Sequence, residues 1–193
     1  STVEGCDVTV ENDPDGAVQG QAYKLAYAAG KNSDGFSYDL LNVMENKPAD
    51  LTTANGTIEV SFDLYMPEAN KAASDFFIDL SVNQEVKGWT GGNAGTFGRL
   101  SGYGPWGDIK YIGGSSATNA SDSSLYKAES RKFDQWVTVT FKVDLAEAAN
   151  FTANYNNDEQ TVTGYPTSLA NALYLNVQPT KNDSNDVIMY VKN

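Results

Sequence analysis

Two stretches of this sequence alternate apolar and polar residues so strictly that they must be strands. In residues 56–66, GTIEVSFDLYM, Ile58, Val60, Phe62, Leu64 and Met66 share one parity, while Thr57, Glu59, Ser61, Asp63 and Tyr65 share the other. In residues 136–145, WVTVTFKVDL, Val137, Val139, Phe141, Val143 and Leu145 alternate with Thr138, Thr140, Lys142 and Asp144. Successive strand side chains point to opposite faces, so each stretch has one face to bury and one to leave outside.

The rest of the chain repeats the pattern in shorter pieces. Residues 7–11, 18–27, 75–83, 171–178 and 186–192 alternate, residues 125–133 lead into the strand at Trp136, and 36–44 carries a weaker apolar patch. Asn12-Asp13-Pro14-Asp15-Gly16 is a turn by composition. Helical periodicity is confined to 144–151 and 166–172, where a turn or two is expected. Many half-apolar strands separated by turn signals predict two antiparallel sheets packed face to face, a β-sandwich of the jelly-roll kind. At 193 residues with 40% hydrophobic content, one such domain over 1–193 is expected.

Charge narrows the partners. Thirteen Lys and Arg stand against twenty-five Asp and Glu, a formal charge of −12, and no basic stripe is visible. Nucleic acid and anionic membranes are bound through Lys and Arg, so neither is expected, and polyanionic glycans are repelled unless calcium bridges them. A neutral ligand fits best. No histidine is present, which removes Ser-His-Asp, Cys-His and histidine-zinc chemistry. Cys6, the only cysteine, shares the apolar parity of Val8 and Val10 and reads as a small buried hydrophobe. No apolar run approaches the length that spans a bilayer, which predicts a soluble chain. The opening Ser1-Thr2-Val3-Glu4 lacks signal-peptide character and suits either a cytoplasmic protein or a processed or trimmed one.

The strongest recognition signal is residues 88–114, GWTGGNAGTFGRLSGYGPWGDIKYIGG, where Trp89, Phe97, Tyr103, Trp106 and Tyr111 stand among glycines with the cation Arg99. Rings with a polar edge stack on flat ligands and tolerate water, and glycines let the backbone come close. Aromatics beside glycines also fill the corners of irregular β-proteins, and either role suits any single ring. A second hint lies in parity. Tyr65 beside Asp63 and Phe77 beside Asp79 place rings next to carboxylates on outward faces, as a sugar site does, or else form cross-strand pairs.

GTIEVSFDLYM, DFFIDLSV, FDQWVTVTFKVDL, ALYLNVQ and DVIMYVKN together resemble the jelly-roll carbohydrate-binding modules of secreted polysaccharide-degrading enzymes, of the ruminal and gut Firmicute type. Laminin-G and concanavalin-like sandwiches share the stretch with Trp136. The resemblance implies an extracellular, monomeric, non-catalytic module that binds a neutral plant cell-wall or storage glycan, attached to catalytic or scaffold domains such as those of a cellulosome. It implies stacking on Trp89, Trp106, Tyr103 and Tyr111, hydroxyl contacts from Arg99, Asn93 and Asp79, and a structural role for Trp136. It also implies a structural calcium between first and last strands, at Glu11, Asp13 and Asp186, which offer the oxygen donors calcium prefers.

Two other classes stay open. Small jelly-roll glycosidases have this length, and glycoside hydrolysis needs two carboxyl groups about 5–10 Å apart. No E-x-D-x-x-E occurs; Glu59 is the best-placed glutamate, with Asp63, Asp79 or another acid that the sequence does not locate as its partner. A lyase is weakened by the missing histidine. A cell-surface adhesin or structural sandwich would share the fold without needing exposed rings.

Overall fold

The computed structural model describes residues 6–16, 20–28, 36–47, 49, 55–71, 76–82, 96–103, 107–113, 124–127, 130–146, 150–163, 172–179 and 186–192. Thirteen strands are formed: β1 Cys6–Asn12, β2 Gln21–Tyr27, β3 Phe36–Asp39, β4 Thr57–Tyr65, β5 Phe76–Ser81, β6 Thr96–Tyr103, β7 Asp108–Gly113, β8 Ser124–Lys127, β9 Trp136–Asp144, β10 Asn150–Tyr155, β11 Asp158–Thr163, β12 Tyr174–Pro179 and β13 Val187–Lys192. They make two antiparallel sheets, one of seven strands in the order β1-β2-β13-β4-β9-β10-β11 and one of six in the order β3-β12-β5-β6-β7-β8. The β-sandwich expected from alternation is the fold.

The seven-stranded sheet is built on β4 and β9, which pair along their whole length from Thr57↔Asp144 to Tyr65↔Trp136. Both turn the same parity inward, so Ile58, Phe62, Val139 and Phe141 reach the core while Glu59, Ser61, Thr138 and Thr140 face out. Across the interior, Phe62 meets Phe141 edge-on at 6.0 Å and Phe141 meets Phe151 at 5.3 Å between ring centroids. The Tyr27 hydroxyl on β2 donates to the Val177 carbonyl on β12 at 3.0 Å, one polar tie between the layers. Burial pushes the Tyr27 phenol well above its ordinary range, so the neutral donor is the form held in the core. Cys6 is buried at the head of β1, as its parity requires.

Two stretches differ from the sequence reading. Residues 88–114, read as an aromatic, glycine-rich recognition stretch and not among the expected strands, contain β6 and β7 of the six-stranded sheet. Two glycines of β6 face inward and make room for rings. A Cβ at Gly98 would lie 2.1 Å from the Phe151 ring of the opposite sheet, and one at Gly102 would lie 2.1 Å from Phe76. These glycines are packing residues, which is why the strand shows no inward apolar alternation. Of residues 144–151, where a helical turn is expected, Asp144 ends β9, Asn150 and Phe151 begin β10, and 147–149 lie outside the described residues; β10 and β11 form a hairpin that turns on Asn156 and Asn157, at φ 53° and 66°. Such a pair of positive φ values suits a two-residue hairpin turn, and asparagine tolerates it. The other expected helical turn, at 166–172, lies outside the described residues except for Ala172, which is not helical.

Close packing at Gly98 is testable. Gly98→Ala should destabilise the fold by about 1–3 kcal/mol in urea unfolding, because the Phe151 ring must move. Gly20→Ala, where a Cβ meets nothing within 4 Å, should stay within about 0.5 kcal/mol of the parent.

Candidate functional site

In a two-layer sandwich each strand normally buries one face. All six residues of β5 are buried. Phe76, Ile78 and Leu80 belong to the core, and Phe77, Asp79 and Ser81 point to the opposite face of the six-stranded sheet. Register extends that outward set sideways. Ser37 of β3 stands opposite Asn176 of β12, Asn176 opposite Asp79, Asp79 opposite Arg99 of β6, and Arg99 opposite Ile112 of β7. A second row runs beside it through Gln178, Phe77, Ser101 and Lys110. From Ser37 to Ser101 these polar side chains are no more than 4% exposed; Lys110 is half-buried, so the second row meets solvent on β7.

The rows are tied together by hydrogen bonds and charge. Ser37 Oγ donates to Asn176 Oδ1 at 2.7 Å. Arg99 grips Asp79 with two donors, Nε to Oδ1 at 2.6 Å and Nη2 to Oδ2 at 2.9 Å. This fork matches a carboxylate and is the strongest arrangement available to such a pair. The guanidinium also lies 4.0 Å from the Phe77 ring centroid, a desolvated cation–π contact. The floor is therefore polar, rigid and electrically neutral at its centre, with amides, hydroxyls and one ring.

The expected site residues are distributed as follows. Arg99 and Asp79 are together, but they bind each other in the interior and are not free-standing surface partners. Tyr111 is a correction. It points inward from β7, fully buried, and its hydroxyl donates to the Asp158 carbonyl at 3.0 Å and lies 3.2 Å from Asp158 Oδ2. Burial, reinforced by the Asp158 carboxylate, pushes its phenol far above the ordinary range. Tyr103 ends β6 opposite Asp108; the direction of its side chain is outside the described set. Trp89, Asn93 and Trp106 lie outside the described residues. By connectivity, Trp89 belongs to the β5–β6 connection and Trp106 to the β6–β7 connection, and these anchor at opposite ends of β6, about 26 Å of strand apart.

The three expected calcium ligands do not converge. β1 and β13 both pair antiparallel with β2, so they run parallel to each other. Glu11 and Asp13 lie at the Lys192 end of β13, whereas Asp186 precedes its other end, roughly 20 Å away. Lysines already occupy the carboxylates: Lys24 Nζ lies 3.1 Å from Glu11, and Lys192 Nζ lies 2.7 Å from Asp13 Oδ2. Asp13 Oδ1 accepts from the Trp136 indole at 2.8 Å and the Asp15 amide at 3.0 Å. Lys192 sits 3.9 Å over the Trp136 ring, whose neighbour is Tyr65 at 5.5 Å. Trp136 thus fastens the first turn to the last strand. Among the described residues no group of three or more acidic or cysteine side chains is arranged to hold a metal ion.

The expected carboxylate pairs are also apart. Glu59 and Asp63 are four residues apart on β4, about 13 Å, and Glu59 pairs with Lys142 while Asp63 accepts from Thr138. Glu59 and Asp79 face away from each other on different sheets. The residues that sequence reasoning missed are Ser37, Ser101, Asn176 and Gln178. Asn176 and Gln178 do share a polar parity against Leu175 and Val177, a signal visible in the chain.

No protein-family model and no characterised protein matches this sequence. Solved structures share its fold. A sialidase aligns over 100% of this chain at TM-score 0.59 and 12% identity, although the chain spans only 16% of that protein's length. An endo-β-1,4-glucuronan lyase from the fungus Trichoderma reesei aligns over 98% of this chain and 88% of its own at TM-score 0.54 and 10% identity. A β-glucanase catalytic domain from Podospora anserina aligns over 96% and 76% at TM-score 0.54 and 13% identity. At these identities the likeness is one of fold, a sandwich on which carbohydrate-active domains are built.

Two expectations follow. Arg99→Met or Asp79→Leu alone should cost about 3–5 kcal/mol of stability, whereas the double variant should recover most of it, because the penalty comes from the stranded charge. A double-mutant cycle by urea unfolding measures this. Asp13 is held below its ordinary value of 3.8, chiefly by the Lys192 hydrogen bond and with help from Trp136, against a smaller raising effect of burial. Its contribution is present above the ordinary carboxylate range and is lost as pH falls through the lowered value. Asp13→Asn should therefore be less stable than the parent at neutral pH, with the gap closing below about pH 3.8 in thermal melts.

Proposed function

We propose that this chain is a non-catalytic carbohydrate-binding module that takes a neutral polysaccharide of the β-glucan, xyloglucan, mannan or xylan class and targets an attached enzyme or scaffold. The observation that carries the reading is the outward polar floor of the six-stranded sheet. A merely solvated face would carry scattered, exposed charges. This one carries amides, hydroxyls and a ring around an ion pair whose charges cancel. These groups are donors and acceptors of the kind that pair with sugar hydroxyls, they carry no net charge to favour an ionic ligand, and their second row meets solvent at Lys110. The overall charge of −12 supports the same preference for neutral polymers.

The fold is shared with a β-glucanase and a glucuronan lyase, so it is a scaffold suited to polymeric sugars. Binding without turnover is favoured here because the floor's central carboxylate, Asp79, is clamped by Arg99, and Glu59 stands on the other sheet. A clamped carboxylate is poorly disposed to act as nucleophile or proton donor. Each sugar contact displaces water that served the same groups, which sets an affinity on the order of micromolar.

The test is affinity electrophoresis through gels containing xyloglucan, mixed-linkage glucan, xylan, glucomannan, starch or pectin, with product sugars assayed in parallel. Retardation by one neutral polymer without released sugar is expected. Sugar release would turn the reading to a glycosidase or lyase, and no retardation by any polymer would turn it to an adhesin or structural module.

A further inference from the structure

Asn55 and Gly56 stand immediately ahead of β4 and form the one Asn-Gly pair in the sequence. Both residues are exposed. Among the described residues, neither the Asn55 side-chain amide nor the Gly56 N–H has a hydrogen-bond partner. Gly56 sits at φ 97°, which glycine adopts without strain, and a Cβ built on it would meet nothing within 4 Å. Downstream the chain is anchored, because the Gly56 carbonyl accepts from the Leu145 amide at 2.8 Å and Thr57 pairs with Asp144. A side-chain amide that nothing holds therefore precedes a backbone nitrogen that no side chain shields. The other exposed asparagines described, Asn12, Asn42, Asn46, Asn150, Asn156 and Asn157, are each followed by a residue that carries a side chain.

We propose that Asn55 is a site of self-modification, deamidation through a cyclic imide with water as the co-reactant. Hydroxide removes the Gly56 amide proton, and the freed nitrogen attacks Asn55 Cγ. A bond forms between these two atoms, the Cγ–Nδ2 bond breaks, and ammonia leaves with a proton taken from water. Water then opens the ring on either side of the Gly56 nitrogen. The product is aspartate or, with the chain rerouted through the side-chain carbon, isoaspartate. One water is consumed and one ammonia is released, with no change of oxidation state. Either product brings a carboxylate to the end of β4 that lies opposite Asp144, where like charges repel. Isoaspartate also adds a methylene to the backbone where β4 enters its pairing with β9. The added length falls on the first rung, Thr57↔Asp144, of the pair on which the seven-stranded sheet is built.

The full chain, held in mildly alkaline buffer and sampled over days, tests this. The expected result is a mass gain of O for NH in the peptide carrying residues 55 and 56, several-fold faster than at any other asparagine and rising in proportion to hydroxide. Protein isoaspartyl methyltransferase should label that peptide. Asn55→Gln is a change at an exposed position that forces a larger, slower-closing ring. It should lose the early mass gain, and its thermal midpoint should hold on ageing while the parent's falls. Reaction first at a different asparagine, or parent-like early mass gain in Asn55→Gln, would overturn the proposal. So would an aged parent that carries no isoaspartate. Equal midpoints for the two aged proteins would overturn the claimed effect on β4.

Discussion

The bidentate pair between Arg99 and Asp79 is the contact on which one whole side of this molecule depends. Two central strands bury both of their faces there, and a charged side chain tolerates such burial only with its counter-charge in hand. Register supplies that partner, because β5 and β6 set the two residues directly across from each other. With the charges cancelled, amides and hydroxyls can line up beside them without a field that dictates the sign of what they meet. The neutrality of the floor is a property of the pair, not of either residue.

The opposite end of the electrostatic scale appears on the seven-stranded sheet. There the carboxylates meet lysines at partly exposed positions, and the arrangement is mechanical. Asp13 receives an indole N–H, a backbone amide and an ammonium, joining the first turn to β9 and β13 at one point. Lysine takes the place that a divalent cation was expected to fill. The substitution is physically reasonable, since an ammonium supplies charge and donors while its stem covers the indole.

Much of the fold was legible because alternation is a local signal. β4, β5, β9, β12 and β13 announce themselves by parity alone, and so does the outward placement of Phe77 and Asp79. β6 stayed hidden because glycines stand where inward apolar residues would, and their reason, the rings of Phe151 and Phe76, lies in distant segments. The β10–β11 hairpin could have been found from Asn156-Asn157, a pair suited to positive φ. The three residues expected to share a calcium ion are separated by strand direction, which parity does not encode: the first and last strands run parallel, so residues at the end of one do not meet residues at the start of the other. Arg99 was singled out as a candidate ligand contact, and only register reveals that its partner in the fold is Asp79. Ser101 carried no local signal, because its burial depends on its pairing with Phe77 and on register with distant strands.

The place of β13 governs the order in which this architecture can be assembled. It lies between β2 and β4, and the β1–β2 hairpin joins the seven-stranded sheet through β13 alone. On a ribosome, β4, β9, β10 and β11 can pair as soon as each emerges, while the hairpin made first must wait, tethered but undocked, for the strand made last. The sheet is therefore completed only after β13 has been made, and the Lys192 clasp on Asp13 closes only once these two segments, distant in sequence, have met.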